Sequence, residues 1–335
     1  MELQIINKPK LELQPVNRSG VTLKPNLSDY KHNPFIEANT KNVSLSHLRK
    51  DCIIPVFSKD NEKTIAHQEF IDIVGDCTAN AFPNHTIDEA EVRISHQIKG
   101  RIPTAIYKSA KDLLEHEKTT YYERMAFIIR VPSITETING NKLALTIGGV
   151  RAYNQENLYS KKSIEKFKVF VGFQNMVCCN LCISTDGYLA EVRVSDYKQL
   201  KEAITNLLLV YSAEKDLKQM LSLTKYNLSE KQFAQLIGRA RLYHYLPKVD
   251  KSEIPNLLIN DGQVSSIARD YYQDERFCSA ENGSINLWNL YNLFTSANKS
   301  SYIDTFSDRN VNAFEFTNGL AQTLNGNSNY HWFLS

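Results

Sequence analysis

The 335-residue chain lacks the apolar segments that would take it into or through a membrane. Its start, MELQIINKPKLELQPVNRSG, does not have the basic residues followed by an apolar stretch that a secretory signal peptide requires. No run approaches the roughly 20 apolar residues of a membrane-spanning helix, and the longest apolar cluster, AITNLLLVY, is interrupted by Thr205 and Asn206. We therefore expect a cytoplasmic protein with no membrane partner.

The short motifs that identify many catalytic and cofactor sites are also missing. There is no Walker A loop, no G-x-G-x-x-G, no H-E-x-x-H, no G-x-S-x-G and no zinc-deaminase signature. Asp304 and Asp308 have the spacing of helical metal ligands, but no His or Glu follows at helical spacing to complete a site. No residue is predicted to be catalytic or to hold a metal, no cofactor is expected, and a non-enzymatic function is favoured.

A strong excess of charge is absent as well, since the net charge is only +2. The distribution is less even, because residues 96–197 contain 14 Lys and Arg against 10 Asp and Glu. In three segments basic residues alternate with tyrosines, the combination that phosphate contact and base stacking use. A solvated surface explains the same pattern, and both explanations stay open. The predicted nucleic-acid-binding residues are Lys99, Arg101, Lys108, Lys161, Lys162, Lys166, Lys168, Asn180, Arg193, Arg239 and Arg241.

The pattern of apolar residues predicts an α+β protein. Residues 1–42 are polar and are predicted to form an extended or partly disordered arm, and residues 43–195 are predicted to form a sheet domain. Two dipeptides, Asn139-Gly140 and Asp186-Gly187, predict tight antiparallel hairpins, because both central residues of a type I′ turn need positive φ. Residues 196–335 show helical periodicity and are predicted to form a helical domain packed on the sheet.

Several residues in the C-terminal half predict where helices begin and end. Ser229 and Gln232 form a predicted capping box, and Asp261 and Ser284 are predicted N-caps. The dipeptide Asn325-Gly326 is predicted to end the last helix, since glycine adopts the left-handed conformation that commonly follows a helix.

The stretch FQNMVCCNLCISTDG contains half of the six cysteines and resembles a metal or redox motif. It lies within a strand pattern, where residues three apart point to opposite faces, so Cys179 and Cys182 are not expected to bind the same metal ion. A hairpin at Asp186-Gly187 would bury Cys179 and place Asn180 across from Arg193 on the opposite face. That face is predicted to be either a half-exposed polar surface or a binding surface.

Three long segments are distinctive: EVRISHQIKGRIPTAIYKSAKDLLEHEKTTYYERMAF, LTIGGVRAYNQENLYSKKSIEKFKVFVGFQNMVCCNLCISTDG and, near the C-terminus, SINLWNLYNLFTSANKSSYIDTFSDRNVNAFEF. They resemble an uncharacterised bacterial family carried on conjugative and other mobile elements. A fainter likeness to the broader phage/plasmid-like protein family rests on V-C-x-N at Val177–Asn180 and W-x-x-Y-N at Trp288–Asn292. The resemblance implies a mobile-element setting and supplies no catalytic residues.

These observations favour a nucleic-acid-associated accessory protein of a mobile element, with single-stranded or duplex DNA as the partner. Two alternatives remain open. One is a protein-interaction module that acts on host proteins in the manner of a defence inhibitor, or on a protein encoded by the element. The other is an enzyme with an unrecognised site on the sheet face of Asn180 and Arg193.

Overall fold

The structure is a computed structural model that describes residues 34–52, 64–105, 107–155, 164–326 and 329–335. Its strands are β1 (Lys41–Val43), β2 (Glu91–Ile94), β3 (Gln97–Arg101), β4 (Lys118–Tyr122), β5 (Arg124–Ile138), β6 (Asn141–Ala152), β7 (Glu165–Asn175), β8 (Leu181–Cys182), β9 (Tyr188–Val194), β10 (Asn227–Leu228) and β11 (Ile285–Asn286). Its helices are α1 (Leu45–Lys50), α2 (His67–Ala81), α3 (Tyr197–Val210), α4 (Ala213–Leu223), α5 (Glu230–Tyr243), α6 (Lys248–Ser252), α7 (Asp261–Gln273), α8 (Leu287–Asn298) and α9 (Ile303–Leu324).

A seven-stranded antiparallel sheet fills the N-terminal half, in the order β1-β2-β5-β6-β7, with both β8 and β9 pairing with β7. Strands β3 and β4 form a separate antiparallel ribbon. Helices α3 to α9 follow in the C-terminal half. The predicted α+β class is therefore confirmed. Of the predicted N-terminal arm, residues 1–33 lie outside the described residues, and Phe35 and Ile36 are buried.

The first predicted hairpin, at Asn139-Gly140, is confirmed. Ile138 pairs with Asn141 at the ends of β5 and β6, and the two turn residues have φ of 48° and 77°. These are the positive angles that a type I′ turn needs, and they match the right-handed twist of the strands that it joins.

Most of the sheet is buried on both faces, although the face that carries the second core is open to solvent around Lys166, Glu191 and Arg193. One face, with Phe127, Ile147 and Phe167, contributes to the main core, in which it packs with α2, α3 and the C-terminal helices. The other face contributes Ile128, Val150, Phe170 and two residues near β8 to a second core. The start of α9 and Phe35 and Ile36 cover that second core. Strands of this sheet therefore read as nearly continuous apolar runs.

The second predicted hairpin, at Asp186-Gly187, is not formed. Strands β8 and β9 do not pair with each other; both pair with β7, with Phe173 opposite Cys182 and Phe170 opposite Tyr188. A tight turn is present, in which the amide of Gly187 donates to the carbonyl of Ser184, but Gly187 then passes close to β7 and its carbonyl accepts a hydrogen bond from the amide of Val171. A Cβ atom on Gly187 would lie 2.1 Å from the carbonyl oxygen of Val171, so close backbone approach explains this glycine.

The chain reverses earlier than predicted, between β7 and β8. Cys179 has a φ of 59°, and its amide donates to the carbonyl of Asn175. The side chain of Asn175 accepts hydrogen bonds from the amides of Val177 and Cys178, which is an asparagine-stabilised turn. The predicted unbroken strand through the cysteines is therefore wrong, because asparagine and a left-handed cysteine make a turn without glycine or proline.

Helix ends in the C-terminal half match the prediction in part. The capping box of Ser229 and Gln232 is confirmed, and α9 ends before Gly326, whose φ is 82°. The N-caps of α7 and α8 are Asn260 and Asn286, not Asp261 and Ser284. Asparagine caps as well as serine or aspartate do, so the neighbouring residues could not be ranked by type alone.

Candidate nucleic-acid interface

The β3–β4 ribbon concentrates basic side chains on one face. Its register places Lys99 opposite Thr120 and Arg101 opposite Lys118. Residues two apart in a strand, and residues directly opposite each other in an antiparallel pair, share a face. Lys99, Arg101 and Lys118 therefore lie on the same face, and two of these cations are direct cross-strand neighbours. Like charges in that position destabilise a pair of strands.

Acidic neighbours of the ribbon offset part of this charge. Lys118 forms an ion pair with Glu115, and Lys108 forms one with Glu117. Hydrogen bonding to these lysines holds the pKa of each glutamate below its usual range. Arg101 donates to the backbone carbonyl of Lys108, a contact that orients the guanidinium without neutralising it.

The segment that joins β3 to β4 carries an exposed aromatic side chain beside these cations. Tyr107 is 98% exposed and adjoins Lys108, and Lys111 is also exposed. Lys99 is exposed on the ribbon itself. The ribbon thus joins cations and a free aromatic ring, which are the two kinds of side chain that contact phosphates and stack on bases. It brings together Lys99, Arg101 and Lys108 of the predicted residues.

A second group of predicted residues lies on the solvent-exposed part of the sheet face that carries the second core, around a groove of about 220 Å³. Lys166 forms an ion pair with Glu191 at 3.1 Å, and Arg193 forms one with the same carboxylate at 2.9 Å. Lys168 is bound by the carboxylate of Asp308 and the carbonyl of Asp304. Each cation here has an acidic partner, so the groove carries little free positive charge.

Two predicted arginines on α5 make surface contacts with other parts of the fold. Arg239 donates to the carbonyl oxygen of Ser335, and its guanidinium lies over the ring of Trp332, 4.9 Å from the centroid. Arg241 makes two hydrogen bonds to the carboxylate of Asp261, at 2.8 and 3.1 Å. These contacts join α5 to the C-terminus and to α7. Lys161 and Lys162 lie outside the described residues.

Asn180 and Arg193 are not neighbours, which corrects the predicted binding surface. Arg193 lies opposite Lys166, and its side chain is exposed. Asn180 is 1% exposed and donates to the backbone carbonyl of Asn292 on α8 at 3.1 Å. A helix covers Asn180 while Arg193 is exposed on β9, so the predicted sheet face that combines these two side chains is not formed.

The same contact joins the two short motifs of the broader likeness. Asn180 ends V-C-x-N, and Asn292 ends W-x-x-Y-N, 112 residues later. Lys299, just beyond α8, donates to the carbonyl of Cys178. The two motifs thus fasten α8 to the turn between β7 and β8, which is a structural role.

The clustered cysteines are protonated parts of the core at neutral pH. Cys179 is buried as predicted, but Cys182 is also fully buried and lies in the main core, contrary to its predicted place on a half-exposed face. Burial raises the pKa of the Cys178 thiol to about 11 and raises the pKa of Cys182 further. Within the described ranges, no group of three His, Cys, Asp or Glu side chains is arranged to hold a metal ion.

The sequence patterns did not indicate a cluster of titratable side chains that surrounds His47. The imidazole of His47 is hydrogen-bonded to Asp51 through Nδ1 and to the hydroxyl of Tyr122 through Nε2, both at 2.8 Å. Cys52 Sγ lies 3.9 Å from the same Nε2. The spacing of His47 and Asp51, one helical turn apart, was visible in the sequence. Burial and then Asp51 raise the pKa of Cys52 to about 11, so this thiol is not an activated nucleophile.

A buried cluster that contains charged side chains is formed by Arg151, Glu165 and His67. Arg151 forms an ion pair with Glu165 inside the core, and its guanidinium lies over the rings of Tyr153 and Phe167. His67, also buried, has Nε2 bonded to the carbonyl of Tyr122. Burial, with Arg151 as the second cause, lowers the pKa of His67 to about 3. The imidazole is therefore neutral and structural at physiological pH.

The geometry defines an α+β protein with a seven-stranded antiparallel sheet and a separate basic ribbon. The chain belongs to the family described as "Domain of unknown function, B. Theta Gene description (DUF3871)", whose model matches residues 17–334. That match includes the sheet, the ribbon and the C-terminal helices. Comparison with curated proteins and with solved structures gave no match. No helix in the described part of the chain is long and apolar enough to cross a bilayer.

Proposed function

We propose that this protein is a non-enzymatic, nucleic-acid-associated accessory protein of a mobile element, acting in the cytoplasm through its β3–β4 ribbon. The observation that carries the proposal is the basic face of Lys99, Arg101 and Lys118, in which Arg101 and Lys118 are directly opposed. An arrangement that repels itself in the free protein is relieved when a polyanion binds between the cations.

The shape of the ribbon fits the same partner. A two-stranded β-ribbon is narrow enough to enter the major groove of duplex DNA, which is about 12 Å wide. Along the ribbon, cations two residues apart are separated by about 7 Å, which is about twice the roughly 3.4 Å axial spacing of phosphates on one strand of a duplex. Tyr107, exposed beside the cations, is available to stack on an unpaired base.

The mobile-element setting is inferred from the resemblance, and the ribbon lies within one of the sequence blocks that carry it. The first of the three resembling segments, residues 91–127, contains the whole ribbon. The ribbon therefore lies within one of the segments that carry the resemblance.

The test is fluorescence anisotropy with labelled duplex and single-stranded DNA over about 50 to about 200 mM salt. The double variant Lys99→Ala/Arg101→Ala is expected to weaken binding about tenfold or more at the lowest salt. It is also expected to reduce the magnitude of the slope of log affinity against log salt by about 2, one for each lost phosphate contact. Tyr107→Ala is expected to weaken single-stranded binding more than duplex binding.

The matched control is Lys215→Ala/Lys218→Ala, which removes the same charge from exposed positions on α4. Equal weakening by the control and the ribbon variant would show a nonspecific charge effect and not a ribbon interface. Absence of binding by the unaltered protein at about 50 mM salt would overturn the proposal. Nuclease-resistant capture of a host protein, without DNA binding, would instead support the protein-interaction alternative.

A further inference from the structure

Strand β9 leaves one edge of the sheet open. It pairs with β7 on one side, and no other described strand pairs with its second side. Within the described residues, no backbone hydrogen bond outside that pairing involves residues 189–194. An open edge presents unpaired amide and carbonyl groups, which form a template for a further strand.

The charges along this edge are arranged as complementary neighbours. Glu191 and Arg193 are two residues apart, share the outer face of the strand and are both exposed. Val192, between them, points into the main core. A β-bulge places Ala190 and Glu191 opposite Lys168, and Val192 to Val194 then pair regularly with β7. Glu191 adjoins this regular part, and a partner strand would meet the segment from Glu191 to Val194.

Only one antiparallel pairing of β9 with a second β9 satisfies both burial and charge. A two-fold axis at Val192 places Glu191 of each copy directly opposite Arg193 of the other, on the same outer face. Centring the pair on Glu191 or Arg193 would oppose like charges. Shifting it by a single position would place a core valine opposite an outer charge, which the alternation of strand faces forbids.

We infer that β9 is a self-association edge, through which two copies of this chain join their sheets antiparallel about Val192. The occupant is a second copy because the charge pattern is self-complementary: each subunit supplies both the anion and the cation that the other needs. This inference does not depend on nucleic-acid binding by the ribbon.

Charge reversal tests this arrangement by sedimentation velocity of the full chain over a range of concentrations. The unaltered protein is expected to show a concentration-dependent dimer. Glu191→Arg alone and Arg193→Glu alone are each expected to be monomeric at concentrations where the unaltered protein is dimeric, because each opposes like charges twice across the axis. The double variant Glu191→Arg/Arg193→Glu restores opposite charges and is expected to recover the dimer.

An equimolar mixture of the two single variants provides a second, independent test. One subunit then carries two cations and the other two anions at the edge, so a mixed dimer is expected where neither variant alone dimerises. Glu214→Arg, which makes the same charge change on the exposed face of α4, is the control and should leave the dimer intact.

Thermal melts of every variant separate loss of association from loss of folding. A monomeric unaltered protein over the whole range would overturn the inference and identify the charges and the bulge as guards against edge pairing. A double variant that folds but remains monomeric, together with no mixed dimer, would exclude this register.

Discussion

At the scale of single residues, His67 shows how burial changes an ordinary side chain. Its Nδ1 atom is buried without a partner, while Nε2 is bonded to the carbonyl of Tyr122 at 2.8 Å. The nearby guanidinium of Arg151 further opposes a positive charge on the ring. The folded protein therefore binds a proton at His67 only near pH 3, whereas the unfolded chain binds it near the ordinary 6.5.

This difference predicts an acid-sensitive contribution to stability. Because the folded-state pKa is depressed, the contribution is fully present above pH 6.5 and is lost as the pH falls toward about 3. Within that window the loss from this one proton approaches about 1.4 kcal/mol per pH unit. Urea unfolding at several pH values should show a shallower acid dependence in His67→Gln than in the unaltered protein.

The surface residue His85 provides the control for that measurement, since His85→Gln changes an exposed imidazole. Its pH dependence should match that of the unaltered protein. If His67→Gln and His85→Gln lost stability in parallel as the pH fell, His67 would not be the source of the acid sensitivity.

At the scale of elements, the surroundings of two glycines predict opposite effects of alanine substitution on stability. A Cβ atom on Gly148, in β6, would lie 2.4 Å from the backbone oxygen of Phe127 and 2.4 Å from the ring of Phe170. A Cβ atom on Gly75, in α2, would make only an ordinary 3.8 Å contact with Ile129. The first glycine is therefore required by close packing between strands, and the second is not.

Alanine substitution measures this difference. Gly148→Ala is expected to destabilise the protein by about 1–3 kcal/mol or more, because the backbone of β5 cannot move aside. Gly75→Ala is expected to stabilise it by up to about 1 kcal/mol, since alanine is the better helix former. Free energies of unfolding from urea titrations check both values. Equal effects from the two substitutions would contradict the packing of β6 described above.

Local signals predicted some elements and missed others for an identifiable reason. Asn139-Gly140 and the Ser229–Gln232 capping box act through bonds and angles within a few residues, so the sequence contains all that they need. The turn at Asn175–Asn180 uses the same kind of local bond, but it lies in an apolar run that also fits a strand. The apolar run therefore predicted a strand where the structure has a turn.

At the scale of the whole molecule, one continuous core joins the sheet and the helices. The main core includes Leu48 near the start of the described residues and Phe333 near the end. Asn180 and Asn292 add a buried hydrogen bond between the turn before β8 and helix α8. The predicted division into units 43–195 and 196–335 remains a prediction about chain segments, and their shared core joins them energetically.

A shared core predicts a single cooperative unfolding transition. Calorimetry should give one peak whose calorimetric and van't Hoff enthalpies agree. Asn180→Ala removes a buried partner of α8 and is expected to lower that one transition, with a cost of about 1–3 kcal/mol. Two separable peaks, with only one of them shifted by Asn180→Ala, would show that the two segments unfold independently.

The sequence by itself determined the α+β class, the first hairpin and the basic composition of the ribbon. Each of these follows from periodicity, turn chemistry or residue type along a short stretch of chain. Only the tertiary structure decided that β8 and β9 share β7, that α8 covers Asn180 and that five of the eight predicted cations within the described residues have acidic partners. Those outcomes depend on contacts between distant segments such as Asn180 and Asn292, whose pairing no local pattern encodes.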